Sequence, residues 1–246
     1  MGRLCKSAEP NGFISSIESD DKGNIYYVKS REGLYRLNRK ESNSKVCLLT
    51  FKKDVRGIVW NQNNNVLYMC DLESNQILQY DIASNKLSTL CGTKAQKNSS
   101  QKNQDGDFSQ ASFAGPNAGS DDSVKWNPPT HRDGEASLAD FYTPSDIAVA
   151  PENTLYVADY NNHCIRKILN GIVSTVAGIP CKWGKEDGNT TTAKLYSPYN
   201  VTLHADGYLL VSDYESLRIV DQKSSIHNLS TDEGCKQPCK VFCYQV

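Results

Sequence analysis

Residues 143–168 have the sequence TPSDIAVAPENTLYVADYNNHCIRKI, and this stretch decides the fold. Two apolar runs, 146–150 and 154–159, are separated by a Pro-Glu-Asn turn signal. The second run alternates, so that Leu155 and Val157 share one face, as they do in a half-buried strand. The stretch therefore begins with two short antiparallel strands.

The pattern continues with two further strands. Residues 164–169 form a third run after the turn at 160–163, and Asn170-Gly171 is a strong hairpin signal. Residues 172–177 supply a fourth run. We predict a unit of four short strands joined by tight turns.

An apolar strand that ends in aspartate and is followed six residues later by isoleucine occurs three times. These pairs are Asp71 and Ile77, Asp159 and Ile165, and Asp213 and Ile219. In a degraded fourth copy near residues 26–30, Ser30 stands in place of the aspartate. A carboxylate at a strand end can accept hydrogen bonds from N–H groups two or three residues ahead. We therefore expect Asp71, Asp159 and Asp213 to hold turns.

A second pattern, Asp-Gly-x4-Ala-x-(Phe/Leu)-x-x-Pro, also occurs three times with identical spacing. Its copies span 105–116, 133–144 and 187–198. The pattern predicts a turn followed by a packed loop that leads into the next unit. Four-stranded units repeated at intervals of about 40 to 55 residues are typical of propeller blades, which build their core by stacking.

The segment 143–168 resembles the NHL repeat almost throughout, including an Asn-His-x-Ile-Arg core at 162–166. The resemblance implies an all-β chain: a β-propeller, commonly six-bladed, that binds protein, RNA or other ligands. It is strong over 133–221, good over 55–116 and weak over 12–50.

We expect a propeller domain over 1–234 and a cysteine-containing tail over 235–246. The predicted blade cores lie near 12–50, 55–92, 144–178 and 198–231, with a polar insertion at 93–132. The 88 residues between Asp71 and Asp159 leave room for an additional blade, so a blade has been lost or shortened there, or the Asp-Gly loop has been duplicated. Four to six blades are compatible with the length, either as a closed ring or as an incomplete ring from a larger protein. We favour the incomplete ring.

Composition excludes several classes of protein. A formal net charge of −1 gives no electrostatic basis for a nucleic-acid partner, and no apolar run is long enough for a membrane span. Nine cysteines and the sequons at Asn98, Asn189, Asn200 and Asn228 suit the secretory route, whereas the first residues lack an apolar leader. Extracellular, lumenal and cytoplasmic locations all remain open.

Two groups of residues could carry chemistry. Cys235, Cys239 and Cys243 have a spacing that permits zinc, although a disulfide-bearing tail is the preferred interpretation. His163 lies near Asp159, but the aspartate recurs without a histidine, which favours a structural role. We assign no catalytic, metal or cofactor residue and expect no cofactor.

The sequence favours a non-catalytic binding or scaffold module that engages a protein partner through one rim. Aromatic residues are the usual anchors of such surfaces, and the candidates are Tyr160, Trp183, Tyr199 and Tyr214. The alternative is a metal-dependent propeller enzyme similar to lactonases or amidating lyases, with ligands that converge from several blades. The oligomeric state stays open.

Overall fold

Four antiparallel sheets follow one another along the chain in the computed structural model, which describes residues 13–38, 44–92, 131–221 and 225–228. Each sheet is one blade with its four main strands in chain order from the inner to the outer edge, and in blade 3 a short fifth strand that precedes the others in the chain lies at the outer edge. Blade 1 comprises β1 (Ile14–Ser19), β2 (Asn24–Lys29), β3 (Gly33–Asn38) and β4 (Ser44–Thr50). Blade 2 comprises β5 (Val55–Asn61), β6 (Val66–Asp71), β7 (Gln76–Asp81) and β8 (Lys86–Cys91).

Blades 3 and 4 follow residue 131. Blade 3 contains β9 (Gly134–Glu135), β10 (Pro144–Ala150), β11 (Thr154–Asp159), β12 (Cys164–Leu169) and β13 (Ile172–Ala177). Blade 4 contains β14 (Pro198–Leu203), β15 (Leu209–Asp213), β16 (Ser216–Asp221) and β17 (Ser225–Asn228). The helical elements of the described residues are two single 3-10 turns, Pro151–Asn153 and Tyr160–Asn162. The predicted all-β class and the four-stranded blades are confirmed.

The inner strands place the blades side by side in chain order. β1 contacts β5, β5 contacts β10, and β10 contacts β14. Blades 2 and 3 are therefore direct neighbours, with no blade between them, although the sequence leaves room for one. The Asp-Gly copy at 105–116 lies outside the described residues. The described residues form four blades rather than the six that the resemblance implies.

Three apolar cores join these four blades. One lies between blades 1 and 2, one between blades 2 and 3, and one between blades 3 and 4. Within the described residues, no such core joins blade 4 back to blade 1. The blades therefore form an arc, which agrees with the expected incomplete ring.

The segments that lead into blades 3 and 4 close two of these cores. Ala139 and Phe141 are buried between blades 2 and 3, and Ala193 and Leu195 are buried between blades 3 and 4. The alanine and the phenylalanine or leucine of this repeated pattern thus fill the apolar core between two successive blades. We call this pair of side chains the plug, and the interface between two successive blades a joint. In blade 3 the preceding pair, Asp133-Gly134, lies at the outer edge of the sheet, where β9 pairs with β13.

Each inner strand has a bulge near its start, and in blades 1 to 3 a residue of this bulge contacts the next blade. In blade 1 the hydroxyl of Ser15 donates to the Val55 carbonyl (2.8 Å), and in blade 3 the hydroxyl of Ser145 donates to the Tyr199 carbonyl (2.8 Å). In blade 2 the strand register skips Gly57, which aligns with Ser16 and Asp146 and has φ +48°. A Cβ there would lie 2.6 Å from the Asp146 Cα, so only glycine fits this joint.

We predict that Phe141→Ala lowers the free energy of unfolding by about 3–5 kcal/mol, because it empties a buried aromatic site in the joint between blades 2 and 3. Equilibrium unfolding in urea measures this change. The control is Leu138→Ala in the same segment, whose side chain is 52% exposed and should cost less than about 0.5 kcal/mol. Equal effects of the two substitutions would contradict the plug role.

Candidate functional site

A buried arginine links the strand-end aspartate of blade 3 to its lead-in segment. The Arg166 guanidinium is fully buried and pairs with Asp159 (Nη1 to Oδ2, 2.9 Å) and with Asp133 (Nη2 to Oδ1, 2.7 Å). It also lies over the Phe141 ring, 4.9 Å from the centroid. Asp159 accepts a further hydrogen bond from the backbone N–H of Tyr142 (2.8 Å). One cluster therefore fixes the strand end, the Asp-Gly pair and the plug together.

Blade 4 repeats this arrangement. Arg218 pairs with Asp213 (Nη1 to Oδ2, 3.0 Å) and with Asp187 of the Asp-Gly pair (Nη2 to Oδ1, 2.7 Å). Asp213 accepts the backbone N–H of Tyr196 (2.5 Å). Because the two clusters occupy equivalent positions, they belong to the architecture of the repeat.

The electrostatics of these carboxylates agree with a structural role. Burial raises the pKa of Asp159, while the charge of Arg166 and the hydrogen bond from Asn162 act in the opposite direction. Burial likewise raises the pKa of Asp213 to about 6, against the N–H of Tyr196 and the charge of Arg218. Every strong partner of these groups belongs to the protein itself.

Blade 2 holds its strand-end aspartate differently. Asp71 accepts the backbone N–H of Ser74 (2.9 Å), which is the turn contact that the sequence predicts, and pairs with the half-exposed Lys53 (2.7 Å). In blade 1 the pairing of Lys29 with Ile14 matches the pairing of Asp71 with Val55. Lys29, not Ser30, therefore occupies the aspartate position, and the assignment of Ser30 is wrong.

His163 sits in the left-handed turn that follows Asn162, with φ +56°. Its Nδ1 accepts the backbone N–H of Ser197 (3.1 Å), which links blade 3 to the segment that leads into blade 4. Burial lowers the pKa of His163 to about 4, so the imidazole is neutral at neutral pH. Its position and partner give it a role in the joint.

A cavity of about 430 Å³ opens on the rim where the inner strands begin. Two predicted anchors meet there: the rings of Tyr160 and Tyr199 lie edge to face with centroids 6.0 Å apart. The Arg56 guanidinium, which is paired with Asp54, donates from Nη1 to the Tyr199 hydroxyl (2.7 Å). Arg31 and Glu73 complete the charged part of the lining. This rim cavity brings together residues from all four blades.

The other two predicted anchors flank a residue that sequence analysis missed. Tyr196 lies 5.1 Å from Trp183 and 4.7 Å from Tyr214, measured between ring centroids. These three side chains form the aromatic row, on the same rim as the cavity. Tyr196 directly precedes the Ser-Pro pair that ends the Asp-Gly motif, and this position could have marked it. No sequence signal singled out Arg31 and Arg56.

The four inner strands enclose a second space of about 460 Å³ along the axis of the arc. Its wall contains two carboxylates, Glu18 and Asp146, and each accepts a backbone N–H from the next blade. The donors are Trp60 (3.3 Å) and Val201 (3.0 Å), respectively. These carboxylates act as braces between blades.

The described residues contain no group of three or more histidine, cysteine, aspartate or glutamate side chains that could hold a metal. Cys70, Cys91, Cys164 and Cys181 are free thiols. The cysteines at 235, 239 and 243 lie outside the described residues. No helix of the described part is long and apolar enough to span a membrane.

Residues 141–168 match the family model of the NHL repeat. The chain carries an NHL repeat. The match begins at Phe141 and includes Asp159, His163 and Arg166, so the buried cluster and the plug lie within the NHL segment. No curated protein sequence matches the chain.

Solved structures show the propeller fold around this NHL repeat. A protein of unknown function from Bacteroides thetaiotaomicron is 19% identical, with a TM-score of 0.61, over 87% of this chain and 46% of that chain. An auxiliary nutrient binding protein from the same organism is 17% identical, with a TM-score of 0.58, over 85% and 46%. Catalytically inactive virginiamycin B lyase from Staphylococcus aureus, with quinupristin, is 13% identical, with a TM-score of 0.55, over 94% and 59%. The chain spans less than half the length of the first two proteins.

We predict that Asp159→Asn lowers the free energy of unfolding by about 3–5 kcal/mol, because it removes one partner of a buried ion pair. Asp71→Asn should cost only about 1 kcal/mol, because Lys53 is 44% exposed and can turn to water. Urea denaturation of both variants measures the difference. If Asp71→Asn cost as much as Asp159→Asn, burial of the arginine would not be the cause.

We predict that the NHL-repeat histidine makes stability depend on pH. The folded pKa of about 4 lies below the ordinary 6.5, so the stabilisation is complete above pH 6.5 and is lost as the pH falls towards 4. His163→Asn removes this titration and suits the left-handed turn. The unfolding free energy of the wild type should therefore fall relative to the variant, by up to about 3 kcal/mol, between pH 6.5 and 4.

The comparison with the variant isolates His163 from two other groups that titrate in this range. Asp213, with its raised pKa, loses stabilisation in the opposite direction, as the pH rises from about 4 to about 6. His131, with a pKa lowered to about 4 by burial, behaves like His163. Both remain in the variant and cancel in the difference. Parallel pH curves for the two proteins would show that His163 is not responsible.

Proposed function

We propose that this chain is a non-catalytic binding module whose rim engages a protein partner. The rim cavity and the aromatic row form the contact surface. The observation that carries the proposal is the exposure of large aromatic side chains at one edge of the arc: Trp183 is 48%, Tyr199 is 43% and Tyr214 is 62% exposed. Tyrosine, tryptophan and arginine are the residues most enriched at the energetic centres of protein interfaces.

The charged groups of the rim cavity support a partner that brings a carboxylate or a backbone carbonyl. Arg56 is held in place by Asp54 and Tyr199, so little side-chain entropy is lost when it binds. Arg31 is exposed on the same lining. The acidic Asp54 and Glu73 leave the cavity nearly neutral, which favours a mixed polar and aromatic contact over a polyanion such as nucleic acid.

The aspartates that recur in the repeat support binding rather than catalysis. Asp159 and Asp213 are buried and paired with arginines, and Asp71 is buried and paired with Lys53. An acid or base catalyst needs a proton-transfer partner in reach of substrate. The exposed residues of the rim are instead mainly aromatic, with one cation, Arg31, and one anion, Glu73, beside them. Virginiamycin B lyase has a similar fold at 13% identity, and fold alone does not transfer its activity.

We predict that peptides selected from a random display library against the immobilised chain bind the rim. Tyr199→Ala and Tyr214→Ala should each weaken these peptides by about tenfold or more in fluorescence anisotropy, the effect of losing an interface anchor. The matched control is Leu87→Ala, an exposed apolar residue on β8, which should leave affinity unchanged. Selected peptides that ignore both tyrosine substitutions would contradict the rim assignment.

The same protein preparation tests the enzyme alternative. Turnover of lactone, ester or peptide-amide substrates that a metal chelator abolishes would contradict a non-catalytic role. We expect no such turnover, and we expect Tyr199→Ala to weaken peptide binding by about tenfold or more while its circular dichroism spectrum stays unchanged.

A further inference from the structure

The first blade exposes a position that the other three blades bury. Ile58, Ile147 and Val201 are 5%, 3% and 3% exposed, and each packs against the preceding blade or the segment before it. In the strand register, each of these three residues lies opposite the third residue from the end of the next strand. Ile17 lies opposite Tyr27, the third residue from the end of β2, so it is their equivalent in blade 1. Ile17 is nevertheless 66% exposed. Blade 1 therefore presents a joint face with no neighbour among the described residues.

The rest of this front face is mainly apolar, with the Lys45 ammonium over the Tyr27 and Tyr35 rings (5.9 and 4.5 Å from their centroids). Tyr27 pairs with Tyr35 in the strand register, and their rings stack with centroids 5.3 Å apart. Ile25 pairs with Leu37 on the same face. Ile14, at the start of the blade, is 60% exposed. We call the set 14, 17, 25, 27, 35 and 37 the front face.

The last blade exposes the complementary half of a joint. Leu34, Ile77 and Ile165 are fully buried against the next blade. Leu217 has the equivalent place in the register of blade 4, opposite Ser212, and it is 42% exposed. Leu210 and Ile219 pair with each other on this face. These residues, with Asn200 and Thr202 of the inner strand, form the rear face.

We propose that the rear face of one protomer docks on the front face of a second copy of this chain. The two faces are the two halves of the joint that this chain already forms three times, between blades 1 and 2, 2 and 3, and 3 and 4. A second copy therefore supplies an apolar sheet face for Ile17 at one end and for Leu217 at the other. Because the contact joins different surfaces, each protomer can engage one partner at each end.

Sedimentation velocity of the purified chain across a concentration series tests this docking. The weight-average mass should rise with concentration from one chain mass to at least twice that value. Ile17→Asp and Leu217→Asp should each abolish the rise, because each places a charge on one face. The matched control is Ile172→Asp on the outer strand β13, where the native side chain is 49% exposed, and it should associate like the wild type.

A mixing experiment distinguishes docking from non-specific association of apolar patches. The Ile17→Asp protein keeps an intact rear face, and the Leu217→Asp protein keeps an intact front face. An equimolar mixture should therefore form a species of two chains and no larger, although each variant alone stays monomeric. A wild type that is monomeric at every concentration, or a mixture that stays monomeric, would overturn the proposal.

Discussion

The structure depends on the burial of one apolar sheet face between each pair of successive blades. No single blade can cover both of its faces, so each gains its stability from its neighbours. Three cores join four blades, and the plugs at Phe141 and Leu195 fill two of them. The position and orientation of every rim residue follow from these joints, because the loops that carry Tyr160 and Tyr199 begin and end on strands that the cores fix.

A second level of order comes from charge. Arg166 and Arg218 are buried, and each binds one aspartate at a strand end and one in the Asp-Gly pair. A buried ion pair adds little to the net free energy of folding, but separating its partners leaves an unpaired charge in the interior at a cost of several kcal/mol. The lead-in segment is therefore held in the one path that keeps its aspartate beside the arginine. Blade 2, where Leu78 pairs in the register as Arg166 does, has the exposed Lys53 instead. The repeat therefore tolerates loss of the arginine where the segment before the blade is short.

The sequence predicted the strands well, because alternation over segments such as 154–159 and the Asn-Gly turn at 170 are local signals. It did not predict the burial of Arg166, since a charged residue is assigned to the surface unless its partner is known, and Asp133 lies 33 residues away. Nor could it decide whether a blade lies between Asp71 and Asp159, because adjacency of sheets is a long-range property. The structure brings the candidates Tyr160 and Tyr199 into contact and places Trp183 and Tyr214 on either side of Tyr196. The sequence did not single out Arg56 or Tyr196, because their roles depend on contacts between residues far apart in the chain.

The glycine at position 57 has a consequence for how such a chain can change. Although the blades look like copies of one module, the backbone at Gly57 leaves no space for the side chains of Ser16 and Asp146, which hold the aligned positions in blades 1 and 3. A blade copied from elsewhere in the gene into this place would collide with the backbone at Asp146 until its residue aligned with Gly57 became glycine. Duplication or recombination of blades, and designs that exchange them, must therefore keep a residue without a Cβ atom at this joint. For this reason the blades cannot be reordered freely.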